Sequence, residues 1–172
     1  MLRLPAVAGR FYPSDPAELR SLIVQCLGTA PAAPKKQVRA CLVPHAGYIY
    51  SGAVAGAVYA ALELPKRAVI LGVRHYPQGK PMAILSSGAW RTPLGDAPVD
   101  AELAQGLRAR CALLEEDEVA HRAEHSLEVQ IPFLQVLAAR LAFAPISLGT
   151  LRFDDLVANA ACPHHRRATG QN

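Results

Sequence analysis

Aromatic side chains are scarce: one Trp, five Tyr and four Phe make up 6% of the 172 residues. A nucleic-acid-binding face usually interleaves aromatics with a dense basic patch. Here the net charge is only +4, and the basic residues are scattered apart from Lys35-Lys36 and Arg166-Arg167. No nucleic-acid partner is therefore expected. No apolar run reaches the roughly 20 residues that a membrane helix needs, and Met1 to Gly9 lacks the apolar centre of a signal peptide. The expectation is a soluble, cytoplasmic protein with no membrane partner. Cys26, Cys41, Cys111 and Cys162 form no C-x-x-C pair, so reduced thiols are expected, the first three in the core. Neither Ser51 nor Ser126 lies in a G-x-S-x-G elbow, which makes a serine hydrolase the weakest reading. The Gly72 to Lys80 stretch has its glycines too far apart for a phosphate loop, and Pro81 stands where a magnesium-binding Ser/Thr would be.

What is present is a globular composition, 51% hydrophobic and 19% charged, in a length that suits one domain with a real core. Asp15 and Pro16 open a helix whose buried face is Leu19, Leu22, Ile23, Cys26 and Leu27, with Glu18 completing a capping box. Pro31 to Lys36 reads as a linker. Val38 to Val43 reads as a buried parallel strand, followed by a loop, Pro44 to Gly52, and a helix, Ala53 to Leu62, whose alanines (Ala53, Ala57, Ala60, Ala61) would let it lie close to the sheet. Arg67 to Val73 is a second buried strand. Met82 to Ser86 is a short third strand, and Trp90 to Asp96 a turn-rich loop. Asp100 caps a helix to Arg110 with an apolar face of Leu103, Leu107 and Cys111. Ser126 caps another, with Leu127, Ile131, Leu134 and Leu141 on its apolar side and Pro132 kinking or delaying it. Phe143 to Leu148 is a further strand, and Leu151 to Val157 starts an amphipathic helix.

Two successive strands each run into a histidine, His45 and His75. In a right-handed βαβ unit both would emerge at one rim of a parallel sheet, where open α/β sheets bind ligands. An imidazole there can bind a metal or move a proton near neutrality. Farther on, His121, Glu124, His125 and Glu128 cluster in sequence, but Glu124 is out of place for an H-E-x-x-H zinc motif. His125 and Glu128 either line a site or serve as caps and surface charge. Arg91 either binds an anion or packs on Trp90. In the tail, Cys162, His164 and His165 are metal-ligand types without an evident fourth donor.

Four ordered strings carry a resemblance. They are Val7-Ala8-Gly9-Arg10-Phe11-Tyr12-Pro13, Pro44-His45-Ala46-Gly47-Tyr48-Ile49-Tyr50-Ser51-Gly52, Trp90-Arg91-Thr92-Pro93-Leu94-Gly95, and Glu124-His125-Ser126-Leu127-Glu128-Val129-Gln130-Ile131-Pro132-Phe133-Leu134. Together they resemble the Memo family, protein B of the AmmeMemoRadiSam system. The resemblance implies an α/β fold with a mostly parallel central sheet flanked by helices, similar to the class III extradiol dioxygenases (LigB-like). It also implies a metal site of iron or copper in which His45 and His75 are the ligands, although the family's Gly-Pro-x-His reads Gly72-Val73-Arg74-His75 here. His125 and Glu128 would serve in catalysis, and Tyr48, Ser51, Arg91 and Glu124 would line the pocket. Family members run longer and carry a later Asp-x-x-His and, in some, a pocket cysteine. The chain is thus expected to be incomplete at its C-terminus, a truncated or frame-shifted product with a family domain over 1–157 and a foreign tail over 158–172.

Two functions of different kinds follow. One is a metal-dependent, dioxygenase-like oxidoreductase, with Glu124 or Glu128 as a substitute third ligand. The other is a non-catalytic scaffold partnering AMMECR-type and radical SAM proteins, or binding a small-molecule or peptide ligand, as some family members bind phosphotyrosine peptides.

Overall fold

A computed structural model describes residues 1–28 and 34–149. In chain order the elements are β1 (Leu2–Arg3), α1 (Pro16–Leu27), α2 (Tyr48–Ala60), β2 (Arg67–Val73), β3 (Met82–Ile84), β4 (Ala89–Thr92), β5 (Gly95–Pro98), α3 (Ala101–Arg110), β6 (Glu115–Glu116) and α4 (Val119–Arg122). A 3₁₀ turn (Glu128–Gln130), α5 (Ile131–Leu137) and β7 (Ala142–Leu148) complete them. No helix among the described residues is long and apolar enough to cross a membrane.

Side-chain caps set two of the helices as expected. The Asp15 carboxylate accepts from the N–H groups of Ala17 and Glu18, and Asp100 accepts from Leu103, each satisfying donors that a helix start leaves orphaned. The reciprocal bond from Glu18 is not among the described bonds. Helix α2 starts at Tyr48, not Ala53. Gly47 takes the N-cap position, its carbonyl accepts from Tyr50 and Ser51, and the Tyr48 N–H reaches the Phe11 carbonyl at 2.8 Å. The second half of the expected loop is therefore helix.

The fold is α/β, but its sheets are mixed rather than mostly parallel. One has the order β1-β4-β5 and the other β2-β7-β3-β6. In the larger sheet β2 and β7 are parallel, β7 and β3 antiparallel, and β3 and β6 parallel. The expected strand over Val38 to Val43 does not form. Its residues have strand propensity, but propensity without a neighbouring edge leaves the backbone unpaired. Cys41 is accordingly exposed rather than in the core. The stretch around Trp90 is also different from expectation: β4 and β5 make a hairpin in which Arg91 pairs with Asp96 across the strands. It is Arg3, not Arg91, whose guanidinium lies over the Trp90 ring, 4.3 Å from its centroid. Pro132 sits in the first turn of α5, where its missing N–H costs nothing, so of the two expectations the helix is delayed rather than kinked. Leu141 falls outside α5. The helix start expected over 151–157, the tail ligands Cys162, His164 and His165, and the division at 157 lie outside the described residues.

The main core brings Leu19 and Ile23 of α1 and Tyr48, Ala55 and Tyr59 of α2 together with Ile131 and Phe133 of α5, under Trp90 and Phe143. A smaller core joins α3 to β3 and β7. The close face of α2 is made by glycines, not by the alanines, of which Ala53 and Ala57 are exposed. A Cβ on Gly56 would lie 2.1 Å from the Cys26 carbonyl oxygen of α1. Gly56→Ala is expected to lower stability by a net ~2 kcal/mol: overpacking against fixed backbone costs more than the ~1 kcal/mol that alanine contributes to a helix interior. The urea midpoint measures it, and an unchanged or higher midpoint would show that the α1–α2 crossing has slack.

Candidate functional site

Two histidines follow directly from chain ends that the fold holds in place. His75 lies two residues beyond β2, and the end of that strand is tied by Ser126, whose hydroxyl donates to the Val73 carbonyl at 2.8 Å. His45 arrives on the irregular segment after Val43. The Gln130 side chain donates to the Pro44 carbonyl at 3.0 Å, and Gln130 is itself held by the Tyr59 hydroxyl at 2.8 Å. His45 is thus positioned by a side-chain anchor rather than by the strand that was expected to deliver it.

The rings of His45 and His75 meet edge to face with centroids 5.3 Å apart. His125 joins them, stacked on His75 at 4.2 Å and 6.0 Å from His45. Phe11 packs edge-on against His125 at 4.7 Å. The site is therefore three imidazoles with an aromatic backing.

Glu124 organises the group from beneath. Its carboxylate is wholly buried, and burial alone would push its pKa up. The backbone N–H groups of His75 and Ser126 and the His75 ring outweigh that and hold it down at about 2. Oε2 accepts from the His75 N–H at 2.6 Å, and Oε1 from the N–H groups of His125 and Ser126, both at 2.8 Å. Oε1 also lies 2.8 Å from His75 Nδ1. An ionised carboxylate can only accept, so Nδ1 of His75 carries a proton and Nε2 is the ring nitrogen left to face an ion. Burial first, then the neighbouring His75, lowers the pKa of both His45 and His125, with Glu124 opposing. Both rings are thereby biased toward the neutral form that binds metals. His125 Nδ1 is buried without a hydrogen-bond partner.

Donor atoms of His75, Glu124 and His125 all lie within 4.8 Å of one another. Two nitrogens on one ion at ordinary bond lengths stand at most about 4.2 Å apart, close to the spread of this group, which does not include the expected ligand His45. Glu124 accepts from three donors at Oε1 and one at Oε2, so it orients His75 while Oε2 keeps an acceptor direction that an ion could use.

The other candidates sit elsewhere. Glu128 is fully buried and accepts from Arg3 Nη1, the N–H groups of Ala6 (2.8 Å) and Val7 (3.0 Å), and the Tyr12 hydroxyl (2.6 Å). It fastens the N-terminal segment under the site. Tyr48 is buried, its hydroxyl donating to the Val129 carbonyl at 2.7 Å. Ser51 donates to the Ala46 carbonyl at 3.1 Å. Arg91 is on the β4–β5 hairpin, paired with Asp96. Gln130, Tyr59 and Phe11, which position the imidazoles, escaped prediction. Two of them fall within the strings that carry the resemblance, but nothing in spacing distinguishes an anchoring glutamine from a solvated one.

Comparison with known proteins places this sequence in a family. The model of the Memo-like protein family matches residues 3–161. A MEMO1 family protein of Aquifex aeolicus is 48% identical over 139 residues, covering 81% of this chain and 51% of that protein. Those of Methanopyrus kandleri (43% identical, 86% of this chain, 56% of the relative) and Archaeoglobus fulgidus (44% identical, 86% and 54%) agree. The chain spans about half the length of the curated relatives it matches. With that match running through His45, His75 and Glu124 to Glu128, the chain belongs to the Memo family.

Proposed function

We propose that this protein is a metal-dependent oxidoreductase, dioxygenase-like in its chemistry, whose metal is iron or copper. The observation that carries the reading is the convergence of three imidazoles, those of His45, His75 and His125, with the Glu124 carboxylate beside His75 Nδ1. His45 and His75 would hold the metal, His75 through Nε2. His125, a third imidazole in the same group, would bind beside them or hold a proton for the substrate. When bound, the metal supplies a redox-active Lewis-acidic centre with positions left open for substrate and dioxygen. Glu124 keeps the His75 ring oriented, Phe11 shields one side of His125 from water, and Gln130 holds the His45 loop in register. The likeness to class III extradiol dioxygenases is part of the same proposal.

The test is metal content. The purified protein, loaded with ferrous iron or copper and dialysed, is expected to retain about one ion per chain. His45→Ala and His75→Ala should each lower retention at least tenfold, and Glu124→Gln should weaken it by roughly 10- to 100-fold, as the loss of a histidine-orienting partner does. Protein that takes up no metal, or that holds it equally well without His45 and His75, would overturn the reading. It would leave a scaffold for AMMECR-type and radical SAM proteins, to be sought by direct association with each.

A further inference from the structure

A cavity of about 230 Å³ lies between the β4–β5 hairpin, α5 and the start of β7, with the exposed Arg20 of α1 on its rim. It is remote from the imidazoles. Phe143 is in its wall, and β7 runs from there to Leu148, whose carbonyl accepts from the Arg74 N–H beside His75. At about 3.3 Å per residue, that is roughly 16 Å of strand. Interiors leave few voids larger than a water, so a space of this size needs something to hold it open. Gln135 does so. Its Oε1 accepts from the Thr92 hydroxyl at 2.6 Å, and its Nε2 donates to the Gly95 carbonyl at 3.1 Å. Helix α5 and the hairpin are thereby fixed at one separation, and the small side chains of Ala97 and Ala138 line the gap without filling it.

The floor is apolar: Ile131, Leu134, Leu141 and Phe143 are all buried. The charges on the rim are unequal. Asp96 accepts from Arg91 through both oxygens, at 2.8 and 3.0 Å, so its charge is countered. Arg20 has no hydrogen bond or ion pair among the described residues. The positions one helical turn away, Pro16, Ala17, Ile23 and Val24, carry no acid to pair with it. An uncommitted guanidinium at the lip of an apolar cavity matches a carboxylate on an apolar body.

We propose that this cavity is a second binding site, which takes a small monocarboxylate with a ring-sized apolar body. Arg20 would pair with the acid, and Ile131, Leu134 and Phe143 would cover the body. Volume sets the size of the ligand. An apolar cavity of about 150 Å³ accepts benzene, and about 230 Å³ adds room for a short chain. The site makes no use of the histidines and stands whether or not they bind metal.

The test titrates the full 172-residue chain with phenylacetate and follows the backbone amides by NMR. Shifts are expected over 94–98 and 131–143, saturating at one site per chain. Acetate lacks the body and phenylacetamide lacks the charge, so each should bind at least about tenfold more weakly. Arg20→Gln should weaken phenylacetate about tenfold and leave phenylacetamide unchanged, a split that a merely structural role would not produce. Arg39→Gln, an equal loss of charge at an exposed position elsewhere, should alter neither. Ala138→Leu, which fills the cavity, should abolish binding of both. No shift at millimolar phenylacetate, shifts centred on the histidines, or equal affinity for the acid and its amide would overturn the proposal. So would phenylacetate affinity that survives Arg20→Gln.

Discussion

Glu128→Ala is expected to be the most damaging single substitution in the described part of the chain, at about 3–5 kcal/mol, the usual cost of removing one partner of a buried ion pair. Arg3 and Glu128 are both essentially inaccessible to solvent. Without the carboxylate, the guanidinium keeps its bonds to the carbonyls of His121 and Glu124 but has no countercharge. The N–H groups of Ala6 and Val7 and the Tyr12 hydroxyl also lose their acceptor, and unmet buried donors cost more than the bonds themselves contribute. Against a domain stability of roughly 5–15 kcal/mol, much of the protein should unfold or fail to accumulate. Glu128→Gln keeps the shape and two acceptor lone pairs, and should fall between. Arg3→Met combined with Glu128→Gln should be less destabilised than the sum of the single changes, because the unpaired charge is gone. Urea denaturation of the four proteins gives the cycle. If Glu128→Gln matches the wild type in stability, the network is not holding the N-terminal segment, and an acid–base role for Glu128 regains ground.

The same residue shows what a sequence can and cannot disclose about this site. Asp15 and Asp100 were readable as caps because a cap is a local device, settled within one turn of its own residue. β2 and β7 were readable because a continuous apolar run bounded by polar residues has few other uses. The pairing of His45 with His75 was expected from two parallel strands; the rings do meet, but only His75 follows a strand, and His45 is held by Gln130. Val38 to Val43 met the same criteria and did not become a strand, since a strand is completed by a neighbouring edge and its own letters cannot supply one. Glu124 and Glu128 lie four apart and look alike in sequence. One collects four donors beneath the imidazoles, and the other clamps a segment more than a hundred residues away. That division depends on where Arg3 and the residue 6–7 backbone arrive, which is a property of the closed fold. Arg3 and Arg91 were exchanged by the same limitation: adjacency to Trp90 in the chain suggested Arg91, whereas β1 pairing with β4 places Arg3 there.

Acidification is expected to destabilise the protein through His121, well above the range where carboxylates titrate. The His121 ring is fully buried against Trp90, and neither of its nitrogens has a hydrogen-bond partner. Burial first, and then the nearby Arg3, lower its pKa to about 4, with the Ala83 backbone first and then Asp117 and Glu116 opposing only in part. In the unfolded chain the ring titrates near 6.5. Between these values the unfolded state binds the proton and the folded state does not, so stability is intact above about pH 6.5 and falls as the pH drops toward 4. The loss amounts to about 2 kcal/mol at pH 5 and approaches about 3 kcal/mol below pH 4. Glu124 adds its own loss only lower, between its ordinary carboxylate value and about 2. His121→Phe keeps an aromatic ring against Trp90 and removes the titrating group. Its urea midpoint should therefore decline far less than that of the wild type between pH 7 and pH 5, with chelator present in both so that metal binding at the other histidines does not contribute. His45 and His125 titrate alike in the two proteins, so the difference between them isolates His121. Parallel declines would mean that the buried ring finds a partner for its proton, and that the acid sensitivity of the fold resides in the three imidazoles of the site instead.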